Sequence, residues 1–110
     1  MIQAAGVAEV TDVTFANEVL TADLPVLVGF TADWCPPCRQ IAPVLSAIAA
    51  EESDRIKVVQ LDVNSSPATT AAYGVLAMPT LMIFRAGEPV ASMVGARPKR
   101  RLLQEIDDAL

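Results

Sequence analysis

The stretch ADWCPPCRQIAPVL, residues 32–45, contains both cysteines of this 110-residue chain and places two prolines between them. It follows PVLVGF, residues 25–30, an almost continuous apolar run that is typical of a strand buried on both faces. After the cysteines, apolar residues recur at spacings of three, four and seven, which predicts a helix with one apolar stripe. These residues are Ile41, Val44, Leu45 and Ile48.

A second apolar, β-branched run, IKVVQLDV at residues 56–63, follows this helix. A strand, a helix and a strand in this order indicate a parallel pair joined by a crossover helix. The carboxyl ends of such strands are where open α/β sheets carry their chemistry. Cys35 is therefore expected just beyond the first strand, with Cys38 in the first turn of the helix.

The remaining segments extend the same alternation on both sides. We predict a weak edge strand at residues 7–10 and a short helix capped by Asp12. A third helix is predicted after Ser66 as N-cap and Pro67 as first helical residue, ending at Gly74.

A hairpin is predicted from residues 80–84 and 89–95, joined by RAGE, with Pro89 favouring an edge strand. Pro98 then opens a last helix. The predicted fold class is α/β, with a central mixed sheet of about five strands flanked by four helices. Without repeats or linker-like tracts, residues 1–110 are expected to form a single domain.

Composition restricts the class of protein. Hydrophobic residues make up 53% of the chain and aromatic residues 5%, so the core is expected to consist mainly of aliphatic side chains. The formal net charge of −5 argues against nucleic acid or an anionic membrane as the main partner. The N-terminal stretch does not resemble a secretory signal, and no apolar run reaches the about 18 residues that span a bilayer. A cytoplasmic location is the expectation.

The two cysteines allow a metal site, a structural disulfide or a redox pair. A structural zinc site normally takes four Cys or His ligands, and this chain has two cysteines and no histidine. A disulfide across so short a loop contributes about 2 kcal/mol, which a domain with its own core hardly needs. Redox exchange is favoured, because residues three apart on a helix are at a distance that a disulfide bridges.

The position of the pair also predicts separate roles for the two thiols. A thiolate at a helix N-terminus is stabilised by free backbone amides, which lowers the pKa of the cysteine. Cys35, next to Trp34, is therefore expected to be the nucleophile. Cys38 is expected to resolve the mixed disulfide by attacking Cys35. Arg39 would add positive charge nearby, although it is as simply a solvated helix residue.

Three segments resemble those of the thioredoxin family. ADWCPPC resembles the active-site loop, MPT at residues 78–80 resembles the segment with a cis-proline, and VGA at residues 94–96 resembles the glycine loop. The resemblance implies a dithiol-disulfide oxidoreductase that reduces disulfides in client proteins. It also implies recycling by thioredoxin reductase or a similar electron donor, and no bound cofactor or metal besides the redox-active disulfide.

The same resemblance implies a substrate groove and a cis bond between Met78 and Pro79. The residues expected to line the groove are Trp34, Pro36, Pro37, Met78, Pro79, Gly95 and Ala96. We expect a monomer. Two rival functions remain open at this point: a disulfide oxidase or isomerase of an oxidising compartment, and a binding module in which the thiols are incidental.

The chain departs from the family at three places. Pro36 and Pro37 replace the usual Gly-Pro between the cysteines, which stiffens the first helical turn. Gly29 stands where the family has a buried Asp that is thought to move the proton of the resolving cysteine, and Gln60 replaces its Lys partner. We hypothesise that deprotonation of Cys38 relies on water or on Cys35, which slows exchange near neutral pH.

A basic cluster follows the glycine loop in this otherwise acidic chain: Arg97, Lys99, Arg100 and Arg101. It is most simply the solvated start of the last helix. A sharper hypothesis is that Arg97 rims the groove and favours acidic partner segments.

Overall fold

The structure is a computed structural model that describes residues 2–110. Within this range five strands form one sheet: β1 (Ala8–Val10), β2 (Val26–Thr31), β3 (Lys57–Asp62), β4 (Thr80–Arg85) and β5 (Glu88–Val94). The helices of the same range are a π-helix (Ala16–Leu20), α1 (Pro36–Glu51), α2 (Pro67–Ala72) and α3 (Lys99–Ala109). The predicted α/β class, the order of elements and the mixed sheet are confirmed.

Strand β2 lies at the centre of the sheet, whose order is β1-β3-β2-β4-β5. All six residues of β2 are buried, as its continuous apolar sequence predicts. Strands β1, β3 and β2 run parallel, and β4 pairs antiparallel with both β2 and β5. The two predicted edge strands, β1 and β5, do lie at the edges.

Helices α1 and α3 cover one face of the sheet. Because side chains alternate along a strand, Leu27 faces this layer and Val28 faces the opposite one. The predicted stripe of α1 is buried here except for Val44, which is partly buried. The central residues of this layer are Leu27, Ile41, Leu45, Ile48, Leu81, Ile83, Leu102 and Ile106.

The π-helix and α2 flank the opposite face. Three rings meet there: the centroids of Phe15 and Tyr73 are 5.5 Å apart, and Phe84 lies 5.4 Å from Phe15 and 5.0 Å from Tyr73. Such tilted and edge-to-face pairs are favourable beyond the area that they bury. Together with Phe30, these rings place four of the five aromatic residues of the chain in this layer.

The first predicted helix exists but differs in kind and in its cap. It is π-helical, with the amide of Thr21 donating to the carbonyl of Ala16, five residues earlier. Asp12 does not cap it, so that prediction is wrong. The Asp12 carboxylate instead accepts hydrogen bonds from the amides of Ala68 (3.1 Å) and Thr69 (2.8 Å) in the first turn of α2.

The cap of α2 is therefore supplied from a distant part of the chain. Ser66 is the N-cap residue, as predicted, but its hydroxyl makes no capping hydrogen bond and is buried without a partner among residues 2–110. Asp12 fills that role with a negative charge at the positive end of the helix. The hydrogen bond from the Thr69 amide is the main cause that lowers the pKa of Asp12 below its ordinary value of 3.8.

We predict that Asp12→Asn destabilises the protein at neutral pH and not in acid. Because the folded-state pKa of Asp12 is lowered, its ionised form stabilises the fold above pH 3.8, and this contribution is lost as pH falls through the lowered pKa. Urea unfolding of both proteins between pH 7 and pH 2 measures it. A difference that persists undiminished at the acid end would show that charge is not the cause.

Candidate active site

The junction between β2 and α1 holds both cysteines. Cys35 is the N-cap residue of α1, with an extended backbone, and Cys38 lies in the first turn. Pro36 and Pro37 occupy the first two helical positions, where the amide that proline lacks would have no helical partner. The double proline is therefore compatible with the start of a helix.

Cys35 and Cys38 form a disulfide, with a Cα–Cα distance of 5.2 Å. The amide of Cys38 donates a hydrogen bond to Sγ of Cys35 at 3.2 Å. The two residues differ slightly in exposure, at 5% for Cys35 and 1% for Cys38. The geometry thus places one sulfur at the positive end of α1 and the other a turn further inside, as the sequence predicts.

The loop before β4 lies directly against this sulfur. The Met78–Pro79 peptide bond is cis, as the resemblance implies, and Sγ of Cys35 lies 3.6 Å from the carbonyl oxygen of Met78. The amide of Gly95 donates to the carbonyl of Pro79 at 2.9 Å, which joins the end of β5 to the same loop. The three segments singled out in the sequence therefore meet in one place.

The predicted groove residues differ in how far they reach solvent. Trp34 is 71% exposed, and both prolines between the cysteines are exposed. Met78 and Gly95 are partly buried and Pro79 is buried. Ala96 is also partly buried and packs against the core layer under α1 and α3.

Of two exposed apolar residues at these segments, Leu76 is not predicted by the sequence to belong to the site, and Val94 is predicted only as part of the glycine loop. Leu76 is 94% exposed and Val94 is 60% exposed, and together with Tyr73, Ser92 and others they line a shallow cavity. In the sequence, only their positions indicate that they belong to the site: Leu76 comes two residues before Met78, and Val94 immediately precedes Gly95. Clustered exposed apolar side chains are typical of a binding surface.

Buried strand β2 has glycine at position 29, where the family resemblance implies a carboxylate beneath the disulfide. Gly29 pairs with Gln60 across β2 and β3, and a Cβ at Gly29 would lie 3.0 Å from Cδ1 of Leu45. Gln60 is fully buried and bonds the N-terminal segment: its oxygen accepts from the Ala4 amide at 2.7 Å, and its nitrogen donates to the Ile2 carbonyl at 3.0 Å. An empty side-chain position packed by Leu45 and a hydrogen-bonded amide therefore stand at the two positions where the family resemblance implies a charged pair.

The hypothesis that Arg97 rims the groove is wrong. Arg97 is only 8% exposed, and its guanidinium forms an ion pair of 2.6 Å with Glu105 on α3. Lys99 is half exposed and pairs with Glu51 of α1, while Arg100 and Arg101 are exposed. Only part of the basic cluster is thus a solvated helix surface. Arg39 is exposed too.

Residues 2–110 contain no group of three or more His, Cys, Asp or Glu side chains arranged to bind a metal ion. In the same range, no helix has the length and apolar character that crossing a membrane requires. The redox-active group that the structure does contain is the Cys35–Cys38 disulfide.

Comparison with known proteins agrees with this geometry. The family model described as Thioredoxin matches residues 6–108. The chain belongs to the thioredoxin family. Thioredoxin 1 of Synechococcus elongatus is 48% identical over 103 residues, which cover 94% of this chain and 96% of that protein.

Two further thioredoxins are similar over most of their length. That of Streptomyces clavuligerus is 52% identical over 95 residues, covering 86% of this chain and 88% of the relative. The thioredoxin of Mycobacterium tuberculosis is 45% identical over 102 residues, which cover 93% of this chain and 88% of the relative. With the paired cysteines, these relations make the protein a dithiol-disulfide oxidoreductase, and the predicted family and activity are confirmed.

We predict that Gly29→Asp speeds disulfide reduction near pH 7 while it destabilises the fold. Burial raises the pKa of a carboxyl group, which suits it to accept the proton of Cys38. We expect a gain of about tenfold, below the roughly 10²- to 10⁴-fold of an optimised general base. Crowding of Leu45 is expected to lower the free energy of unfolding by about 1–3 kcal/mol.

Gly29→Asn is the matched control, because it has the same size and cannot take up a proton. For both variants, stopped-flow mixing measures the rate at which the reduced protein reduces a disulfide substrate between pH 5 and pH 9. Urea unfolding measures the free energy of unfolding of the same variants. If the two variants and the parent protein share one pH profile of the rate, proton transfer from Cys38 is not limited by the missing carboxylate.

Proposed function

We propose that the protein reduces disulfides of client proteins, with Cys35 as nucleophile and Cys38 as resolving thiol. The observation that carries this proposal is the hydrogen bond of 3.2 Å from the Cys38 amide to Sγ of Cys35. The same amide and the positive end of α1 would stabilise a thiolate on Cys35 after reduction. Cys38, at 1% exposure, is less accessible to a client than Cys35.

The proposed reaction consists of two exchanges. The Cys35 thiolate attacks one sulfur of the client disulfide, the client S–S bond breaks, and the leaving client thiolate takes up a proton. The Cys38 thiol then loses its proton, attacks Sγ of Cys35, and expels the second client thiol. The client gains two electrons and two protons, and Cys35 and Cys38 end as the disulfide seen in the structure.

The proposed client groove surrounds Cys35. An extended client segment would pair with the backbone at Met78, whose carbonyl oxygen lies 3.6 Å from the reacting sulfur. The exposed ring of Trp34 is proposed to cover one side of the client. The other residues assigned to the groove are Pro36, Pro37, Pro79, Gly95 and Ala96. The contact of Met78 with Sγ of Cys35 and the hydrogen bond from the Gly95 amide to the Pro79 carbonyl support the assignment.

The proposed cycle needs an electron donor and no further cofactor. The reduced cysteine pair carries the two electrons that pass to the client. Thioredoxin reductase or a similar donor would then reduce the Cys35–Cys38 disulfide again. We propose that residues 1–110 act as a monomeric single domain in the cytoplasm, where thiols are kept reduced. The match of the family model over residues 6–108 supports one domain, and the net charge of −5 fits protein clients better than nucleic acid.

Single cysteine variants test the assigned roles. Reduced Cys38→Ser protein incubated with insulin is expected to accumulate a mixed disulfide, because the thiol that would resolve it is missing. Cys35→Ser is expected to form no adduct and to reduce insulin no faster than buffer. Mass spectrometry under non-reducing conditions detects the adduct. A stable adduct on Cys38 in the Cys35→Ser protein would reverse the assignment.

The redox potential tests the direction of the reaction. If the protein is a reductant, its reduction potential is expected near about −270 mV, the value for thioredoxin. Disulfide isomerases have potentials near about −180 mV and strong oxidants near about −120 mV. Equilibration of the protein with defined dithiothreitol mixtures, followed by thiol alkylation, gives the value. A potential above about −200 mV would favour an oxidase or isomerase instead.

A further inference from the structure

Arg97 is a buried cation that binds two backbone carbonyls and one carboxylate. Its Nη2 donates to the carbonyl of Val94 at 2.6 Å, and its Nε donates to the carbonyl of Gly95 at 3.2 Å. Its Nη1 donates to Oε2 of Glu105 at 2.6 Å, and only 5% of the Arg97 side chain is exposed. One planar guanidinium thus holds two successive peptide groups and is itself held by α3.

The two peptide groups belong to the segment Val94–Ala96 that faces the proposed client groove. Gly95 has a φ of +101°, a conformation that residues other than glycine rarely adopt. Because glycine has no side chain, no side-chain packing at this position can hold the backbone in place. Its amide donates to the Pro79 carbonyl at 2.9 Å, and the neighbouring Met78 carbonyl oxygen lies 3.6 Å from Sγ of Cys35. A continuous series of contacts therefore runs from Glu105 through Arg97 to the backbone beside the reacting sulfur.

Packing alone does not account for a charged residue at this position. A buried ion pair adds little net stability, and apolar residues of similar volume often replace one without loss. What an apolar side chain cannot do is fix the direction of two carbonyl groups, which the rigid fork of arginine does. The observed contacts are those of a group that determines backbone orientation.

We propose that Arg97, anchored by Glu105, is a positioning residue that sets the Val94–Ala96 backbone for binding of protein clients. This proposal rests on the proposed client groove. Disulfides too small to reach this backbone would react with Cys35 independently of Arg97. Loss of the Arg97 contacts would weaken the binding of a protein disulfide and leave the exchange chemistry unchanged.

The double variant Arg97→Met, Glu105→Met tests this. It removes one positive and one negative charge, so the net charge stays at −5, and it leaves no unpaired buried charge. The matched control is Lys99→Met, Glu51→Met, which also removes one ion pair between α3 and another element and also preserves net charge. The substrates are insulin, with dithiothreitol as electron donor, and the small disulfide 5,5′-dithiobis(2-nitrobenzoic acid), which is mixed with the pre-reduced protein after all dithiothreitol has been removed.

The Arg97 and Glu105 variant is expected to raise KM for insulin about tenfold and to keep kcat within about twofold, as expected when binding alone is lost. Its rate with the small disulfide, and all rates of the control, are expected to match the parent protein. An unchanged KM for insulin overturns the proposal. An equal fall in the rates of reduction of insulin and of the small disulfide also overturns the proposal, because a general loss of structure would lower both rates.

Arg97→Lys decides the question should the double variant not fold. Lysine keeps a positive charge opposite Glu105 but lacks the fork that reaches two carbonyls, so a rise in KM of about threefold is expected, and an unchanged KM refutes the proposal. Failure of the proposed function has a different signature. In that case the parent protein itself would react with the small disulfide no faster than free cysteine.

Discussion

The structure depends on the point where β2 ends and α1 begins. The hydrogen bond from the Cys38 amide to Sγ of Cys35 exists only because an extended N-cap residue precedes a helix that starts at Pro36. That start is fixed in turn by β2, whose six residues are buried at the centre of the sheet and leave the chain no freedom to shift its register. The buried strand therefore places one sulfur at the positive end of a helix dipole.

The three segments that meet at the active site, and the residues next to them in sequence, expose apolar side chains, whereas the layers below bury them. Trp34, Leu76 and Val94 are exposed apolar residues, whereas the core packs its aliphatic and aromatic side chains in two closed layers. Apolar side chains that remain in water gain nothing for the fold. Leu76 and Val94 line one shallow cavity, and exposed apolar side chains grouped in this way are typical of a binding surface. If this surface belongs to the proposed client groove, its shallow apolar character would suit many clients rather than one.

The sequence was sufficient for features encoded by neighbouring residues. The apolar run of β2, the stripe of α1 and the proline and glycine signals around α2 are local, and each predicted element is present. Asp12 was assigned to the wrong helix because its partners, Ala68 and Thr69, lie more than fifty residues away. The burial of Arg97 escapes prediction for a different reason: its partners Val94, Gly95 and Glu105 lie within eight residues, but a run of basic residues at the start of a helix does not show which of them turns inward.

The replacements at positions 29 and 60 are understandable as a pair. Removing only the carboxylate would leave a buried lysine without a partner, which costs several kcal/mol. With Gly29 and Gln60 no charge remains, Leu45 lies where a side chain at position 29 would pack, and Gln60 uses both polar atoms to bind Ile2 and Ala4. The interior is apolar or hydrogen-bonded at these two positions, and we hypothesise that the proton of Cys38 leaves by water or by the neighbouring sulfur. Cys38 still retains its position one turn behind Cys35, which the helix alone determines. Geometry for the second exchange is thus independent of the group that assists its proton transfer, and the two can vary separately within one fold.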